Sequence, residues 1–122
     1  MAKTAAQDQG SFLPLTPVVF HILLALAKEE RHGYGIIKEV QESTEGTVTL
    51  QTGTLYQAIR RLLEAGLIKE VDSKVDPELD DERRRYYALS ELGKRVLSEE
   101  VRRLEDMVRL AHAKRIPDWK AG

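Results

Sequence analysis

The segment that most constrains this chain runs from Gly53 to Ile68: Gly-Thr-Leu-Tyr-Gln-Ala-Ile-Arg-Arg-Leu-Leu-Glu-Ala-Gly-Leu-Ile. Leu55, Ile59, Leu62 and Leu63 recur at i, i+4, i+7 and i+8. At about 100° per residue they share one narrow helical face. Gln57, Arg60, Arg61 and Glu64 fall on the opposite face. Gly66 marks a helix stop, and Leu67-Ile68 opens a strand. A short helix with an apolar face and an Arg/Gln face, leading directly into a β-ribbon, needs further elements to cover the apolar face.

The flanking sequence supplies them. Thr16-Pro17 reads as N-cap and first helical residue. The helix they start is apolar on nearly all sides (Val18, Val19, Phe20, Ile22, Leu23, Leu24, Leu26) and is expected to reach about Lys28. An all-round apolar helix must be buried on more than one face; in a chain of 122 residues a second subunit can supply the second face. After the charged turn 28–32, a second helix is expected from Tyr34 to about Ser43, with Ile37 and Val40 inward. Residues 46–50 read as a β-rich or irregular connector. The third helix starts near Thr52. Strand composition over Ile68–Val75, an acidic turn over Asp76–Glu82 and a returning strand over Arg85–Leu89 form a wing, with Tyr87 and Leu89 on one face. Ser90 is an N-cap for a final helix over 91–114. In it Leu97, Val101, Leu104, Val108 and Ala111 are spaced 4, 3, 4, 3, an a/d seam over two heptads that suits helix pairing.

The fold class is therefore mainly α with a small β-ribbon: a winged helix-turn-helix with a long C-terminal dimerisation helix. Its expected divisions are a disordered arm (1–12), a winged-helix DNA-binding domain (13–90), the dimerisation helix (91–115) and a tail (116–122).

Composition narrows the function. The chain has no cysteine, which excludes disulfides and thiolate metal sites. No apolar run approaches the roughly 18 residues of a membrane span, and residues 1–10 lack the apolar stretch of a secretory signal; a cytoplasmic location is expected. His21, His32 and His112 are far apart without carboxylates at ligand spacing, so neither metal nor cofactor is expected. No Gly-rich phosphate loop and no Ser-His-Asp set is present, so no enzyme is expected. The net charge is −1, unlike many nucleic-acid binders. DNA affinity, however, depends on charge within a Debye length of about 10 Å, and thus on where the 19 basic residues lie.

Three groups of motifs carry a family resemblance. The first is Leu24-Ala25-Leu26 followed by His32-Gly33-Tyr34-Gly35-Ile36. The second is Gly53-Thr54-Leu55-Tyr56, with Arg61-Leu62 and Glu64-Ala65-Gly66-Leu67-Ile68. The third is Arg84-Arg85-Tyr86-Tyr87-Ala88-Leu89-Ser90, with Gly93. In this order, over roughly residues 15–98, they resemble the PadR family of transcriptional regulators. The resemblance implies a dimeric DNA-binding repressor, released by a small molecule or stress signal, whose first and last helices build the dimer. Thr52 and Gln57 stand where the family usually has proline, and the wing tip is acidic rather than Gly-rich. Only about 30 residues follow the wing, as in short members. Some of these bind flat aromatic compounds against a tryptophan in the last helix; here the only tryptophan is Trp119, beyond Pro117, so multidrug sensing is not implied.

The candidate DNA-contacting residues follow from side-chain chemistry. Gln57, Arg60 and Arg61 suit base edges or phosphate in the major groove. Thr52, Gly53 and Thr54 lie at a helix N-terminus, which favours phosphate, although Thr54 serves equally as a cap. Tyr56 and Tyr34 combine a packing ring with a hydroxyl that can reach phosphate. Arg83, Arg84 and Arg85, with Lys74 across the wing, can hold phosphate or pair with Asp80, Asp81 and Glu82. Such exposed pairs contribute only about 0–1 kcal/mol. An effector pocket is expected at the dimer interface, lined by Phe20, Leu97, Val101, Leu104, Met107 and Val108. The expected partners are double-stranded DNA with a near-palindromic operator, a second copy of the chain and an effector. The alternative reading is a winged-helix protein-interaction module that does not bind DNA; the acidic wing and near-neutral charge favour it.

Overall fold

The computed structural model describes residues 12–71 and 85–116. Helix α1 spans Pro17–Ala25, with Thr16 as N-cap: its Oγ1 accepts the Val19 N–H at 3.2 Å. The helix ends a turn earlier than the apolar pattern predicts. Leu26 leaves helical geometry (φ −93°, ψ 1°) and its side chain turns into the core. The cause lies outside the helix: the Arg31 guanidinium donates through Nε to the Ala25 carbonyl at 2.7 Å. It also reaches Glu29 (3.5 Å) and Glu39 (3.4 Å). The last turn is thus capped by a side chain six residues on, and the chain reverses there.

That reversal creates a strand the sequence does not announce, β1 (Arg31–His32). Helix α2 follows directly (Gly33–Ser43), N-capped by His32, whose Nδ1 accepts the Gly35 N–H at 2.9 Å. Its inward line is Gly33, Ile36 and Val40. Ile37, expected inside, is only half-buried, because α2 starts with Gly33 pressed against the Tyr56 ring and so rotates Ile36 to the centre. A Cβ at Gly33 would collide with the Tyr56 hydroxyl.

Helix α3 (Thr52–Ala65) buries Leu55, Ala58, Ile59 and Leu62. Gly66 ends it at φ +81°, a left-handed conformation that glycine adopts without a Cβ penalty. The Leu67 N–H then closes on the Leu62 carbonyl at 3.0 Å, as in a Schellman stop. Strands β2 (Ile68–Val71) and β3 (Tyr86–Leu89) pair antiparallel, Ile68 opposite Leu89 and Val71 opposite Tyr86. β1 joins the far side of β3, giving the order β1-β3-β2. The expected two-stranded ribbon is therefore a three-stranded sheet. Tyr87 and Leu89 face the core, as their alternation predicts. Residues 72–84, with Lys74, the acidic turn, Arg83 and Arg84, lie outside the described residues, as do the arm to residue 11 and Trp119.

Helix α4 (Glu91–Ala113) is tied down at its start. The Ser90 Oγ accepts the Gly93 N–H at 2.9 Å and donates to the Gly66 carbonyl at 2.6 Å, joining the N-cap of α4 to the end of α3. Gly93 lies against the Leu67 carbonyl so closely that a Cβ there would collide with backbone. Val96, Leu97 and Glu100 complete the core. Beyond Glu100 the helix leaves the domain, and Met107, Val108 and Leu110 are each more than half exposed.

Candidate nucleic-acid interface

Burying Leu55, Ala58, Ile59 and Leu62 leaves Thr52, Gly53, Thr54, Gln57, Arg60, Arg61 and Glu64 of α3 exposed. Among the described residues neither Arg60 nor Arg61 has a hydrogen-bond or ion-pair partner. The helix begins without a side-chain cap: Gln51 is the N-cap residue and makes no capping bond. Thr54, weighed as a cap from sequence, lies inside the first turn and caps nothing. The first-turn N–H groups, which no intrahelical carbonyl can satisfy, therefore point outward with the positive end of the helix dipole behind them. A Cβ on Gly53 would meet no atom within 4 Å, so nothing inside the fold requires glycine there.

The exposed side chains divide between two directions. Gly53, Arg60 and Glu64 face straight away from the core. Thr54, Gln57 and Arg61 lean toward the segment before α1 and form one wall of a groove with it. Tyr34, in the first turn of α2, is 68% exposed. Its ring stacks on His32 (centroids 6.4 Å, 27° between planes), which in turn meets Tyr86 edge-on at 5.2 Å. Tyr56 is half-buried over Gly33. Arg85 is exposed, and its Nε lies 3.8 Å from Glu70 on the neighbouring strand. That pair is long and solvent-exposed, so it holds Arg85 only weakly. Lys74, Arg83 and Arg84 are outside the described residues.

The predicted effector-pocket residues are only partly brought together. Phe20, Val101, Leu104 and Val108 line an open groove of about 550 Å³ between α1 and α4, edged by Glu105, Arg109 and His112. Leu97 is spent in the core, 7% exposed. Met107 is not among the groove's lining residues; its sulfur contacts the Arg103 guanidinium at 3.1 Å.

Sequence reasoning missed Glu100. Its side chain is buried, 1% exposed. Arg103 donates to it through Nε (2.6 Å to Oε1) and Nη2 (2.9 Å to Oε2). The Leu15 backbone N–H, 85 residues away, donates to Oε2 at 3.2 Å. The hydrogen bonds from Arg103 hold the carboxyl below the usual carboxylate range, outweighing burial, which acts the other way; Leu15 adds to the lowering. The available signal was a glutamate three residues after Leu97 on the inward side of α4, with an arginine three residues further on. Among the described residues no group of three or more His, Asp or Glu could hold a metal ion, and no helix is long and apolar enough to cross a membrane.

Residues 22–99 match the model of the transcriptional regulator PadR-like family. An uncharacterized protein from Lysinibacillus sphaericus is 32% identical over 81 residues, covering 66% of this chain and 72% of that protein. A PadR family transcription regulator from Clostridium difficile is similar in structure: TM-score 0.64, 27% identity, 80% of this chain and 97% of that one covered. Bacillus subtilis PadR, solved in complex with operator DNA, shares the fold at TM-score 0.62 and 23% identity, over 72% of this chain and 48% of that one.

Proposed function

This chain belongs to the PadR-like family of transcriptional regulators, and we propose that it binds a near-palindromic DNA operator as a homodimer, represses transcription and is released by a small-molecule or stress signal. The observation that carries DNA binding is the solvent side of α3. It presents two arginines without a partner among the described residues, a glutamine, and an uncapped N-terminus opened further by Gly53. Recognition helices enter the major groove by their N-terminal residues. Thr52, Gly53 and Thr54 then meet phosphate through the helix N-terminus. Gln57, Arg60 and Arg61 lie one to two turns further in, within reach of base edges, where Gln pairs bidentately with adenine and Arg with guanine. Tyr34 and Tyr56 flank this face from α2 and α3. Arg85, with Lys74, Arg83 and Arg84, extends the contact to phosphate from the wing. A glycine that the fold does not need at position 53 fits the close approach of a DNA backbone.

The dimer rests on the second half of α4. Its Met107, Val108 and Leu110, and Leu24 of α1 at 43% exposure, are apolar side chains that no described residue of one copy covers. In the a/d series, Leu97 belongs to the chain's own core, while Val101, Leu104 and Val108 turn progressively outward. Pairing through this surface sets two α3 helices on successive major grooves, about 34 Å apart. The groove lined by Phe20, Val101, Leu104 and Val108 then lies beside the interface. An apolar effector taken there would change the spacing of the two helices by differential affinity for the two states. Acting on DNA, the protein works in the cytoplasm.

Binding of genomic fragments measured across salt concentration tests the reading. A DNA binder loses affinity steeply as salt rises. The absence of any complex at low salt on any fragment refutes it and favours the protein-interaction module.

A further inference from the structure

The groove against α3 is a second, separate cavity of about 520 Å³. It is lined mainly by aliphatic side chains, Leu15, Val18 and Val19 from one side and Leu62 and Ala65 from the other, with Phe12 beside them. Its charged and polar groups all come from the α3 rim: Thr54, Gln57 and Arg61, apart from the Thr16 hydroxyl, which already accepts the Val19 N–H. Among the described lining residues there is one cation and no anion. That cation, Arg61, has no partner within the described protein. The positive end of the α3 dipole lies about two turns away, at Thr52–Thr54.

We propose that this groove binds an aliphatic monocarboxylate, its chain on the Leu15–Val19 floor and its headgroup on Arg61. The guanidinium fork matches the two oxygens of a carboxylate, and Gln57 can donate beside it. A branched-aliphatic floor accommodates a flexible chain without demanding the flat shape of an aromatic ring. A pocket of this volume is in the usual range for small ligands. Occupancy has a direct consequence, which rests on the DNA-binding reading above: a carboxylate on Arg61 and Gln57 takes two side chains away from the operator. Release by such a ligand would be competitive, through the recognition helix itself, and independent of any effector beside the dimer interface.

Titration calorimetry of the full chain without DNA tests the site, with hexanoate, octanoate and decanoate against octanol. We expect binding to tighten about fourfold per added methylene and octanol to bind at least tenfold more weakly than octanoate. Arg61→Met should weaken octanoate at least tenfold and leave octanol unchanged. Ala65→Phe, at an exposed helix position that lines the groove, should abolish both. Binding to operator fragments is the second readout. Ala65→Phe should bind DNA as the wild type does but resist release by octanoate, whereas Arg60→Ala should lose DNA affinity and keep octanoate affinity. No heat with any carboxylate at millimolar concentration overturns the site. So does equal affinity for octanoate and octanol, or a change in oligomeric state on Ala65→Phe, which would mean that a second copy fills the groove. If no protein variant binds DNA but the calorimetric pattern holds, the DNA reading fails and the ligand site stands.

Discussion

Replacing Gly93 by alanine should destabilise the domain, although alanine is the better helix former by up to about 1 kcal/mol. Gly93 lies in the first turn of α4, with its Cα face against the Leu67 carbonyl; the nearest neighbours of an added Cβ are backbone atoms of Leu67, which no rotamer change can move. Relief requires α4 to slide away from the start of β2. That strains the Ser90 Oγ bond to the Gly66 carbonyl (2.6 Å) and the Gly93 N–H bond to Ser90 (2.9 Å). Overpacking costs about 1–3 kcal/mol, and loss of a cap about 1 kcal/mol more. After subtracting the helix-propensity gain the expected net loss is roughly 1–3 kcal/mol, a sizeable share of the roughly 5–15 kcal/mol typical of a domain. In thermal denaturation followed by circular dichroism at fixed protein concentration, the midpoint should fall by roughly 5–15 °C. Gly53→Ala is the internal control, since its Cβ would meet nothing within 4 Å. It should leave the midpoint unchanged or raise it slightly, while weakening DNA binding if the operator backbone approaches there. A Gly93→Ala midpoint equal to or above that of the wild type would refute the close-packing argument.

Arg60→Ala should weaken operator binding by roughly 1–3 kcal/mol in an anisotropy titration; if Arg60 holds phosphate, the salt slope should fall by about one and the loss be uniform across sequences. Glu100 has its carboxyl held below the ordinary value in the folded state, so the unfolded chain binds the proton first and stability falls with acid. Its contribution is fully present above about pH 4.3 and is lost as pH drops through the folded value. Urea midpoints measured from pH 6 to pH 3 should show that acid-side slope in the wild type and a shallower one in Glu100→Gln. Val108→Glu places a charge on the exposed half of α4 and should shift sedimentation to the monomer, with far-ultraviolet circular dichroism retained.

Much of the fold was legible because it is enforced by near neighbours. Thr16 and Ser90 cap the helices that follow them through bonds three residues long. Gly66 stops α3 because its backbone must be left-handed. The i, i+4, i+7 pattern of Leu55, Ile59 and Leu62 picks the buried face, although Leu63, grouped with them from sequence, is only half-buried and Ala58 is buried beside them. The candidate interface was legible for the complementary reason: what the pattern leaves out of the core must be exposed. The two-directional split of that face was not legible, because which polar residues lean toward residues 12–19 depends on where that segment packs.

The sequence alone determined the element types, their order, most of their boundaries and the exposed Arg/Gln face, all through interactions spanning a few residues. The tertiary structure decided the rest. It ended α1 at Ala25 by bringing Arg31 to the free carbonyl, and made β1 by laying Arg31–His32 along β3. It chose Ile36 over Ile37 by resting Gly33 on Tyr56. It buried Glu100 by giving it the N–H of Leu15, far away in the chain. A buried carboxylate, a close glycine contact or an early helix stop is stable only with a partner from another element, and helical periodicity carries no record of which partner that will be.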